Sequence, residues 1–167
     1  MSEVSALSPR ILLLDTCIWV NSQLGANRGH EEARKLIVAA RKRGARLGIA
    51  PHSLASVFYI VHRTLKRMGA QLGSNPADES AAAAKEVAWG VVNNIMEYAE
   101  VIGADGSDAR IAALHKSAHD DFEDDLIIAA ARRMRADLIV TDDLAFVRHC
   151  PLSIMTAADA LRWIEAS

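Results

Sequence analysis

Four of the five residues in Asp121-Phe122-Glu123-Asp124-Asp125 are acidic, and acids recur at two distant places, Asp15 and Asp142-Asp143. Two carboxylates brought to about 5 Å repel by about 3 kcal/mol at an effective dielectric of about 20. A divalent cation reverses that cost. Oxygen-only donors suit magnesium or manganese, which keep several waters and bind through a few carboxylates plus substrate phosphate. If the three acidic sites converge, the chemistry they predict is metal-assisted hydrolysis, most plausibly of a phosphodiester.

Each site also has an ordinary explanation. Asp121 is a good N-cap, and Asp124 suits a first turn where acids favour the helix dipole. Asp15 reads equally as a polar strand end, and one of Asp142-Asp143 as the cap of a short helix carrying Phe146. Capping does not need four acids in five positions, however. Asp121, Asp124 and Asp125 stand at i, i+3 and i+4, on one side of a helix start. Ile127, Ile128 and Ala131 follow on the apolar side, which lets Asp124 point inward.

The elements that must position these acids are legible from apolar spacing. Arg10 to Asp15 reads as a fully buried strand, and Arg46 to Ala50, Glu100 to Gly103, Asp137 to Thr141 and Leu152 to Met155 as four more. Helices are predicted over Thr16 to Leu24, His30 to Arg43, from Pro51 onward, about Asp78 to Tyr98, about Ser107 to Lys116, Asp121 to Met134, Asp143 to Arg148, and Thr156 to Glu165, with Thr156 as N-cap. Gly69 to Pro76 is the clearest loop. Strands alternating with helices predict an α/β three-layer sandwich, with a central parallel sheet of about five strands. Right-handed crossovers then put every strand's C-terminal end on one edge. Ligands bind at that edge where the strand order reverses.

The composition sets limits. At 167 residues and 51% hydrophobic, the chain can bury one sizeable core, so a single domain over 1–167 is expected. A net charge of −2 argues against broad electrostatic capture of nucleic acid, although Arg41-Lys42-Arg43 and Arg63-Thr64-Leu65-Lys66-Arg67 leave room for a local basic surface. Cys17 and Cys150 have no metal-type spacing and make no disulfide framework, which fits a reducing, cytoplasmic setting. Residues 1 to 9 lack a signal peptide's basic start and apolar core, and no apolar run nears the roughly 18 residues that span a membrane.

In Leu14-Asp15-Thr16-Cys17, in Asp121-Phe122-Glu123-Asp124-Asp125-Leu126-Ile127-Ile128-Ala129-Ala130-Ala131, and in Ala136-Asp137-Leu138-Ile139-Val140-Thr141-Asp142-Asp143, the chain resembles the PIN-domain family of metal-dependent nucleases. That family includes the VapC-type toxins of bacterial toxin–antitoxin pairs. The resemblance runs from about Ile11 to Met155. It implies Asp15, Asp124 and Asp143 as metal ligands, with Asp121 completing the catalytic set beside the ion or on it. It further implies Mg2+ or Mn2+, an RNA substrate, frequent homodimers and inhibition by a small antitoxin. One position departs: Ser56 stands where the family usually places a Glu, and a hydroxyl cannot replace that charge.

Other residues carry less. His52 follows a strand and reads chiefly as a helix-start histidine with a structural hydrogen bond. His115 and His119 lack the intervening Glu of a zinc motif. His30, His62 and His149 read as solvent-facing or structural, and Trp19, Trp89 and Trp163 as packing residues. Thr141 suits either orienting a phosphate or capping. No Gly-x-x-x-x-Gly-Lys-Ser/Thr run occurs, which disfavours a nucleotide triphosphatase. The activity the resemblance implies is a metal-dependent endoribonuclease, the toxin of a type II pair. Its rivals are a non-catalytic PIN-like module that binds RNA or protein, and a small phosphatase.

Overall fold

The structure is a computed structural model that describes residues 10–72, 77–115 and 121–166. Its strands are β1 (Ile11–Leu14), β2 (Arg46–Ile49), β3 (Ala99–Val101), β4 (Leu138–Val140) and β5 (Ile154–Met155). Its helices are α1 (Thr16–Gln23), α2 (His30–Lys42), α3 (Pro51–Leu72), α4 (Ala77–Tyr98), α5 (Gly106–His115), α6 (Phe122–Met134), α7 (Leu144–His149) and α8 (Ala157–Glu165). The five strands form one all-parallel sheet in the order β3-β2-β1-β4-β5. The order therefore reverses between β1 and β4, where Leu12, Leu13 and Leu14 pair with Leu138, Ile139 and Val140.

Both faces of β1 are covered, which is why its apolar run is continuous rather than alternating. Leu12 and Leu14 enter a core with Trp19 of α1, Leu36 of α2, Val57 and Val61 of α3, Ile95 of α4 and Ile164 of α8. Leu13 and Ile139 face the other way, onto Ile127, Ile128 and Met134 of α6 and Phe146 of α7. The expected three-layer sandwich is the observed one. Gly48 on β2 admits the second layer: a Cβ there would lie 2.3 Å from Met134 Sδ.

Two expectations about boundaries need correction. The strands are shorter than predicted: β1 ends at Leu14 because Asp15 turns to cap α1, and β4 ends at Val140. Helix α3 does not stop at Gly69 but runs on to Leu72. A Cβ on Gly69 would sit 3.3 Å from Cβ of Ser80 on α4, so the glycine marks a close helix–helix contact rather than a break. The rest of that expected loop, 73–76, lies outside the described residues, as do Lys116 and His119. Thr156 caps α8 as expected, accepting from Asp159 N–H. Among the described residues no helix is long and apolar enough to cross a membrane.

Candidate active site

The acids reach the carboxyl edge of the sheet by separate routes. Asp15 follows β1 directly, and its N–H donates to Val140 O at 2.9 Å, clamping it between the two central strands. Its side chain caps α1 through Thr16 N–H, and its other oxygen accepts from the Thr141 hydroxyl at 2.8 Å. Thr141 is fully buried and its Oγ1 also accepts Asp143 N–H at 3.0 Å. One hydroxyl thus braces the ends of β1 and β4 together. Thr141 is a brace for two acids rather than a group free to meet a phosphate.

The paired acids after β4 divide their work. Asp143 caps α7, its Oδ1 accepting from Ala145 N–H at 2.7 Å and Phe146 N–H at 3.2 Å. Asp142 points elsewhere: it accepts from Ala157 N–H at the start of α8 and from the Asn21 side chain of α1. Asp121 is the N-cap of α6, accepting from Glu123 N–H at 2.9 Å. Asp124 turns into the crevice while Asp125 is buried. His149 Nε2 lies 3.5 Å from Asp124 Oδ2, a neighbour that spacing in the sequence did not suggest.

Asp15, Asp121, Glu123, Asp124, Asp143 and Ser56 line one pocket of about 350 Å³. All four acids expected at the site are in its wall. Glu123, read only as one member of the acidic run, joins them and accepts a hydrogen bond from the Thr16 hydroxyl at 3.2 Å. The partner's position, one residue after Asp15, was the available clue. Ser56 occupies the wall with a hydroxyl where a carboxylate was expected.

Electrostatics report the same convergence. Burial, then Asp121, Asp15, Asp143 and Glu123, push the Asp124 carboxyl up to about 7. Burial raises Asp15 as well, against the hydrogen bonds from Thr141, Thr16 and Cys17 that lower it. The Cys17 thiol is pushed up to about 12 by burial and by Asp15, so it is a protonated donor to that carboxylate and no nucleophile. His52 stands in the first turn of α3 as expected, with its Nε2 buried and unpartnered among the described residues. Burial lowers its pKa, while Glu123 and Asp15 pull it the other way.

The donors are hard oxygens, which fits magnesium or manganese by chemistry. As folded, however, no three His, Cys, Asp or Glu side chains among the described residues stand close enough to hold one ion. Asp15, Asp121 and Asp143 are each turned toward a helix N-terminus, and Asp124 toward His149.

An all-parallel α/β sheet with acids gathered at its order reversal has its crevice where open α/β sheets bind ligands. The residues from 11 to 145 match the family model of the PIN domain, and the chain belongs to that family. Comparison with curated proteins gives no match. Among solved structures, the chain is similar to one in the VapBC2 complex of Rickettsia felis bound to a promoter DNA fragment. That pair is 17% identical with a TM-score of 0.58, over 87% of this chain and 98% of the other. It is also similar to one in VapBC-1 of nontypeable Haemophilus influenzae, at 13% identity and a TM-score of 0.54, over 88% and 98%. At such identities the likeness speaks for the fold.

Proposed function

We propose that this chain, as a single domain, is a metal-dependent endoribonuclease, the toxin of a type II toxin–antitoxin pair acting in the cytoplasm. The observation that carries the reading is the shared pocket of Asp15, Asp121, Glu123, Asp124 and Asp143 at the β1/β4 reversal. Asp15, Asp124 and Asp143 would hold Mg2+ or Mn2+, with Asp121 assisting. A bound ion of this kind lowers the pKa of a water and neutralises charge on the scissile phosphate.

The chain's own groups set the conditions. Thr141 and Thr16 fix the Asp15 carboxylate by hydrogen bonds, so its orientation is decided before any ligand arrives. Asp124 holds a proton up to about pH 7 and must release it to become a ligand, which couples cation uptake to pH. In-line attack by water would leave a 5′-phosphate and a 3′-hydroxyl. A small antitoxin as partner and a homodimer complete the proposal; the VapBC assemblies support the first.

A second reading has its own support. Ser56 in the wall, and the dispersed aim of the carboxylates, favour a non-catalytic module that binds RNA or protein. Labelled RNA incubated with Mn2+ and either the parent or Asp124→Asn separates the two. The nuclease reading expects cleavage by the parent and a loss of about 100-fold or more in the variant. Equal binding by both, with the RNA left intact, would favour the module.

A further inference from the structure

We propose that the face of α3 leading away from the acidic pocket is the track for a single-stranded RNA flank. Arg63 and Lys66 would meet its phosphates, and the Tyr59 ring would stack on a base. This inference rests on the nuclease reading and names where its substrate lies. A groove of about 490 Å³ is lined by Ser56, Tyr59, Ile60, His62, Arg63 and Lys66. Ser56 and Ile60 also line the acidic pocket, so the two cavities adjoin.

The groove residues recur three and four apart, which places them on one helix face. From Ser56 to Lys66 the helix rises about 15 Å. Arg63 and Lys66 are exposed and form no ion pair among the described residues. Tyr59 is 67% exposed, an unusual cost for an aromatic ring. It is held edge-on by Phe58 at 5.2 Å, which packs in turn on Trp89 at 4.8 Å.

Charge selects the occupant. An acidic peptide would suit Arg63 and Lys66 but would carry its carboxylates into the acidic pocket. A basic peptide would be repelled by the groove. A strand of phosphates and bases satisfies both ends once a divalent cation covers the acids, and its bases use the ring that a phosphate-only ligand would ignore.

The test is the fluorescence anisotropy of a labelled eight-nucleotide single-stranded RNA, titrated at several salt concentrations with Ca2+ in place of Mn2+ to cover the acids, the strand's integrity being checked on a gel. For Arg63→Gln/Lys66→Gln the slope of log affinity against log salt should shrink by about 1.4, two phosphates at about 0.7 each. Tyr59→Ala should bind about tenfold more weakly with the slope unchanged. All three positions are exposed, and circular dichroism checks that the variants fold.

The control is Arg34→Gln/Lys42→Gln in a basic groove along α2 that shares no residue with the acidic pocket. The proposal is overturned if the control pair changes the slope and the α3 pair does not, or if the parent fails to bind RNA. It is likewise overturned if an acidic peptide, and not RNA, is lost on the α3 substitutions. RNA held on α3 but never cut with Mn2+ would sink the nuclease reading alone. Cutting by a parent whose α3 variants bind RNA unchanged would sink only this inference.

Discussion

Asp124 and Asp125 are neighbours of the same charge type, yet only the first enters the crevice, and its proton carries a stability signature. Its folded carboxyl lies at about 7 against an ordinary value of 3.8, so the folded chain holds this proton more tightly than the unfolded one. The stabilisation is complete below about pH 4 and is lost as pH rises through 7. Asn at this position has no proton to lose. In EDTA at pH 8, Asp124→Asn should therefore be more stable than the parent by roughly 2 kcal/mol, solvent screening and counter-ions offsetting the remainder. The gain should vanish at pH 4. Melting curves at the two pH values decide it, and a parent no less stable than the variant at pH 8 would refute it. The acids themselves were legible because four in five positions exceed what capping needs. The contacts that place Glu123 and Thr141 were not, because Thr16 to Glu123 and Asp15 to Thr141 lie 107 and 126 residues apart in the sequence.

Strands and helices were legible wherever apolar spacing was regular, and were misjudged where glycine was read as punctuation. Gly69 costs α3 about 1 kcal/mol of helix propensity, but its missing Cβ lets Ser80 approach, and no local pattern reveals a partner on another helix. Gly48 is the sheet's counterpart. A side chain there meets Met134 Sδ at 2.3 Å and Cε at 2.8 Å, so Gly48→Val must displace the end of the Met134 side chain. A loss of about 1–3 kcal/mol in urea unfolding is expected. Met134→Ala in the same chain should restore part of it by vacating the space. If the double variant is no better than the single one, strain at Met134 is not the cause.

The strand order β3-β2-β1-β4-β5 could be argued only conditionally from sequence, since which strands pair is a long-range choice. Once β1 and β4 pair, the acidic crevice follows, and a cation bound there should stabilise the entire fold. At Mn2+ a hundredfold above its dissociation constant the gain is about 2.7 kcal/mol. For a chain of this length that raises the melting temperature by about 5–10 °C. EDTA should reverse the rise and Asp124→Asn should abolish most of it. A melting temperature indifferent to Mn2+ would remove the metal from the proposal while leaving the fold untouched.

The ladder joining β1 to β4 also decides how such a crevice adjusts to what enters it. Asp15 and Asp143 are rooted on adjoining rails tied by Asp15 N–H to Val140 O and by the Thr141 hydroxyl. Neither root can slide or swing without tearing the middle of the sheet. Fine tuning therefore belongs to torsions beyond Cα: Asp143 holds its helix amides with Oδ1 alone, which leaves Oδ2 to be aimed by side-chain rotation. The crevice thus adjusts by turning side chains on a fixed frame and not by closing jaws.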